Sequence, residues 1–164
     1  MDSLLPVASS LGKSAGDISF LLVFILLSLG VGFLFGRWKL INILINIYIA
    51  LAFVGVLSSG FLDFSIYGKL IAFFVIVLFL TAIDTRLFDV HIASAGTDFF
   101  WRLFVMSVLV TGFFVSTVFS LLPRQMALSY ISPSVYGFFA TPIAELVWMA
   151  VPLLVLLFIN NRLK

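Results

Sequence analysis

The sequence predicts an all-α integral membrane protein, a bundle of about five transmembrane helices in one multi-pass domain over residues 1–164. Composition is the first reason: 63% of the residues are hydrophobic and 10% charged, where a soluble domain carries roughly 25% charged residues. A chain of this length leaves too much of its surface exposed to hide that apolar content from water. Uncharged stretches of membrane-spanning length are the second reason. The third is that no alternation of apolar and polar residues competes for a barrel.

The first span is read over 18–36, which is free of charge for 19 residues. As a helix it covers about 28 Å, close to the ~30 Å hydrocarbon core. The second, 40–62, fills the 23 residues between Lys39 and Asp63. A third, 66–86, has a shorter charge-free centre, 14 residues between Lys69 and Asp84, and needs both flanking cations to snorkel outward. It is read as crossing, with a re-entrant or interfacial course as the alternative. The fourth span, 102–122, contains most of the 21 uncharged residues between Arg102 and Arg124. The fifth, 142–160, begins at a Thr141 N-cap followed by Pro142 at the first helical position. Pro152 is expected to kink it.

Residues 125–140 are broken by Pro133 and Gly137 yet carry Met126, Tyr130, Tyr136, Phe138 and Phe139. That stretch is expected to lie along the membrane surface. Residues 1–17 lack the basic start and apolar run of a secretory signal, so the first span is expected to be retained. The longest polar connection is 84–102, with Thr97 as an N-cap and Asp98 in the first turn. Phe99, Phe100 and Trp101 mark the membrane surface behind it. Alternate connections hold three and six basic residues; the richer side is cytoplasmic, which puts the N-terminus outside and the C-terminus inside.

Composition also excludes chemistry. The chain has no Cys and one His, His91, so thiol catalysis, Cys-ligated metals and His clusters are out. The net charge of +2 is scattered, with no nucleic-acid or polybasic lipid-binding run. The 20 Phe residues are read as lipid-facing filler. Asp84, Arg86, Asp89, His91 and Asp98 share one connection, but without protease or phosphotransferase spacing they are read as solvated ion pairs. No cofactor or metal is expected, and the expected partners are the lipid bilayer and another membrane protein or a second copy.

Small residues recur every four positions on two spans: Ser28, Gly32 and Gly36 on the first, Gly112, Ser116 and Ser120 on the fourth. In lipid, helices associate through close backbone approach across such residues. The rows suit either packing inside the bundle or an interface with a partner. Asn42 and Asn46 lie one turn apart on one face of the second span. They fit interhelical hydrogen bonding or the lining of a cytoplasmic mouth. Glu145 is the acid set deepest in a span. It reads as an interfacial carboxylate favoured by the helix dipole, or as a cation or proton site beside Ser58, Ser59 or Lys69.

The glycine-rich close of the first span, Gly30-Val31-Gly32-Phe33-Leu34-Phe35-Gly36, runs into the basic turn Arg37-Trp38-Lys39 and then Leu40-Ile41-Asn42. Over residues 18–62 this resembles the colicin V production protein family, small multi-span bacterial inner-membrane proteins. The resemblance implies an envelope- or secretion-related role and no catalytic residues. The expected function is a non-enzymatic scaffold or subunit; the alternative is a small transporter or channel subunit with a polar site inside the membrane.

Overall fold

The computed structural model describes residues 4–60, 66–87 and 99–161. They form six helical elements with no strand among them: α1 (Leu4–Gly60), α2 (Ile66–Leu87), α3 (Phe99–Leu121), α4 (Arg124–Tyr130), α5 (Pro133–Phe139) and α6 (Pro142–Asn161). The connection holding Asp89, His91, Thr97 and Asp98 lies outside the described residues, as do the side chains of Ser58, Ser59, Asp84 and Arg86.

α1 is two helices joined at a single residue, Gly36, whose φ of 67° and ψ of 171° are non-helical. That region of backbone space is open essentially to glycine alone. The expected turn at 37–39 is therefore one residue wide, and helix resumes at once. The two arms of α1 fold back beside each other, since Val31 and Phe35 of the first line the same groove as Ile43 and Ile47 of the second.

Among the described residues, three stretches are long and apolar enough to cross a membrane: Gly16–Gly36, Lys39–Leu57 and Trp101–Leu121. The apolar part of α2, Tyr67–Ile83, is shorter. α5 and α6 pass the same test only as a pair, bent by 47°. α6 continues as helix through Pro152, whose ring is fully buried.

α3 is the centre of the fold. Its apolar window is 56% buried, against 17% for the first arm of α1. Leu103, Met106, Val110 and Phe113 are buried at alternating spacings of three and four, the pattern of a helix seam packed against neighbours. They meet Leu40, Leu44 and Ile47 of the second arm and Phe73 of α2 in one core. The first arm runs opposite to α3, because Phe20 meets Phe119 at 6.2 Å while Gly32 lies against Ser107.

Residues 124–140 form two short helices with an inward face. Ile131, Val135 and Phe139 are buried against Phe24 of the first arm, while Tyr130 and Phe138 stay exposed. Ser132 caps α5, its hydroxyl accepting from the Val135 N–H at 3.2 Å, with Pro133 at the start of the helix. A Ser-Pro start is a readable helix signal, so the break expected at Pro133 is a helix beginning.

Candidate functional site

Two of the polar side chains inside the helices, Asn46 and Glu145, are tied to a neighbouring helix, each at a different place. Asn46, 8% exposed, donates from Nδ2 to Thr81 Oγ1 of α2 at 3.3 Å. Leaving an amide unpaired in an apolar interior is costly, and Thr81 is the group that meets it. Asn42, one turn earlier and half-buried, has no hydrogen-bond partner among the described residues.

Glu145 is half-buried in the first turn of α6. Its Oε1 lies 3.0 Å from the Ser120 hydroxyl, which also lies 2.9 Å from the Thr117 carbonyl. The N–H groups of the helix start add favourable potential for a carboxylate at this position. Glu145 and Asn46 thus bond to different helices, α3 and α2, and share no partner.

The row on α3 faces the bent α5–α6 unit. A Cβ on Gly112 would stand 2.0 Å from the Trp148 ring, so only glycine lets the indole lie on the backbone of α3. Ser116 donates to the Phe139 carbonyl at 2.5 Å, and Ser120 reaches Glu145. Trp148 stacks on Phe139, with centroids 5.3 Å apart and planes 9° apart, and its indole N–H donates to the Phe138 carbonyl at 3.1 Å. Two carbonyls at the end of α5, which have no partner inside the helix, are thereby satisfied. Sequence reasoning missed Trp148; the signal was a large ring facing a row of small residues.

The row on the first arm divides. Ser28 is fully buried and donates to the Phe24 carbonyl at 2.8 Å. Gly32 packs on α3, where a Cβ would meet Ser107 Cβ at 3.0 Å. Gly36 is the hinge, and a Cβ there would meet nothing within 4 Å. Gly32 and Gly112 therefore each pack against a different element, Gly32 on Ser107 of α3 and Gly112 on Trp148 of α6.

Two further contacts join distant parts of the chain. Asp17 of the first arm accepts a hydrogen bond from the Ser132 hydroxyl at the head of α5. Tyr48 of the second arm donates to the Met149 carbonyl and packs its ring on Phe113 at 4.5 Å. That carbonyl neighbours the one at Trp148, which Pro152 leaves without its helical N–H.

Between the two arms of α1, α2 and α3 lies a groove of about 330 Å3. Leu27, Val31, Ile43, Leu78 and Phe114 are among the side chains that make its walls almost wholly apolar. Thr111 borders it on α3, and its hydroxyl is buried without a hydrogen-bond partner. Among the described residues no three of His, Cys, Asp and Glu gather where they could hold a metal ion. The arrangement serves to hold helices together and to enclose an apolar space. No family model matches the chain, and neither a curated protein nor a solved structure does.

Proposed function

We propose that the chain is a non-enzymatic, multi-pass membrane scaffold or subunit, acting in envelope maintenance or secretion. In this reading the two arms of α1, together with α2, α3 and α6, make five crossings, the N-terminus is outside and the C-terminus cytoplasmic. One observation carries the reading: Asn46 and Glu145 are spent on separate helix–helix hydrogen bonds, Asn46 on Thr81 and Glu145 on Ser120. A transporter or channel subunit would need Asn42, Asn46 and Glu145 along one polar path, and the groove between the helices is apolar instead. The glycine-rich close of the first arm adds the resemblance on which the envelope or secretion role rests.

A scaffold needs a face for its partner. The first arm buries one side on α3 and leaves Leu21, Leu22, Leu26, Phe33 and Leu34 exposed. The partner is another membrane protein or a second copy, seated on that face. Because the chain has no Cys, single cysteines at Leu22 and Leu26 can report contacts in native membranes without background. The expected result is a discrete crosslinked species at both positions, identified after extraction in mild detergent. Labelling by lipid-soluble maleimide alone, with no crosslink, would defeat the scaffold reading. Reporter fusions after Asp63, Asp98, Arg124 and Lys164 test the topology; a cytoplasmic signal at Arg124 would overturn the orientation or the number of crossings.

A further inference from the structure

We propose that the groove between the arms of α1, α2 and α3 is a binding site for one acyl chain of an anionic phospholipid. The inference rests on the reading of the chain as membrane-embedded. The volume of about 330 Å3 falls within the roughly 300–1,000 Å3 of sites that hold small ligands. Its walls are carbon on four sides, from Leu27 and Val31, from Ile43, from Leu78, and from Phe114. Leu27 and Leu78 are each more than half exposed, so the groove opens sideways into the surrounding solvent. In a bilayer that solvent is hydrocarbon, and a chain lying there meets no polar surface to exclude it.

Charge at one end of the groove selects the headgroup. Lys39 lies four and eight residues before Ile43 and Ile47, which places it on the groove-lining face of the second arm. Lys39 therefore sits at the end of the groove nearest the Gly36 hinge. Lys39 is exposed. Long cationic side chains at helix ends extend toward the headgroup level while their stems stay in the apolar layer. A lipid whose tail enters the groove brings its phosphate to the Lys39 ammonium. Lys39 is not paired with a carboxylate among the described residues.

The test uses the full chain purified in mild detergent and offered phosphatidylglycerol or phosphatidylcholine with identical acyl chains. Native mass spectrometry is expected to show one retained lipid, phosphatidylglycerol over phosphatidylcholine. Lys39→Gln should cut that preference about fivefold, the effect of one cation near an anionic surface. Leu27→Trp with Leu78→Trp narrows the opening at two exposed positions and should strip both lipids without lowering the melting temperature. A phosphatidylglycerol carrying a photoreactive acyl chain gives an independent reading that needs no variant. Its adducts should concentrate on residues lining the groove. Adducts spread evenly over the exposed apolar faces, equal retention of the two lipids, or retention unchanged by the tryptophan pair would each overturn the proposal. The crosslinks at Leu22 and Leu26 test the scaffold reading on another face, so the two can fail separately.

Discussion

Ser120 of α3 holds Glu145 of α6 through a contact of 3.0 Å between the hydroxyl and the carboxylate. The bond closes a row in which Gly112, Ser116 and Ser120 each meet the α5–α6 unit in a different way: a ring on a backbone, a hydroxyl on a carbonyl, and a hydroxyl on a carboxylate. α3 thereby grips α5–α6 along its C-terminal half, while Ser107 on another face receives Gly32 of the first arm.

Glu145→Gln keeps the shape and the acceptor oxygen that faces Ser120. Stability in detergent should change little, since an interhelical hydrogen bond in a membrane protein contributes about 0.6 kcal/mol. Combining it with Ser120→Ala in a double-mutant cycle should return a coupling of that size. A complementation assay is expected to show a mild phenotype. Complete loss of function at normal membrane abundance would move the assignment to a transporter.

Gly112→Ala should destabilise the fold by about 1–3 kcal/mol, the usual range for forcing a methyl group into a filled space, because Trp148 occupies the position of the new Cβ. Gly30→Ala, where nothing lies within 4 Å, should be neutral or slightly stabilising through helix propensity. Thermal unfolding in detergent separates the two, and equal effects would refute the packing described for the α3 row.

Ser132 does two things at once: it caps α5 through the Val135 N–H and donates to Asp17. Ser132→Ala should cost about 0.5–2 kcal/mol, as for the loss of an N-cap. Asp17→Asn keeps the cap and should cost less. Hydrogen exchange at the amides of 134–139 should rise strongly in the first variant and weakly in the second. A reversed order would assign the anchoring of α5 to Asp17.

Thr111 buries a hydroxyl without a partner. Thr111→Val should raise stability by about 1 kcal/mol, the lower end of the penalty for an unmet buried polar group. Thr117→Val should lower stability instead, because the Thr117 hydroxyl donates to the Phe113 carbonyl at 2.9 Å. Chemical or thermal unfolding of both variants gives the signs, and a loss at Thr111 would show that its hydroxyl has a partner.

Composition and charge spacing alone determined that the chain is helical and apolar enough for a membrane, and where most of its long helices lie. Those properties are local: fifteen to twenty uncharged residues make an apolar helix whatever surrounds it. Gly36 was visible as part of a small-residue row, but its role as the hinge depends on the path of the chain on both sides of it. Residues 125–140 looked like a surface segment because Pro133 and Gly137 interrupt the apolar pattern. Only the fold shows that Ile131, Val135 and Phe139 turn inward, since that burial needs Phe24 from more than a hundred residues earlier. The serine rows, the two asparagines and Glu145 were all legible as polar or small groups on helices. Which partner each would meet was decided by the tertiary structure, because a hydrogen bond of about 3 Å depends on which helices become neighbours. That choice follows from packing around α3, where the fit of Trp148 over Gly112 and of Phe113 beneath Tyr48 selects one arrangement of side chains with nearly equal hydrophobicity.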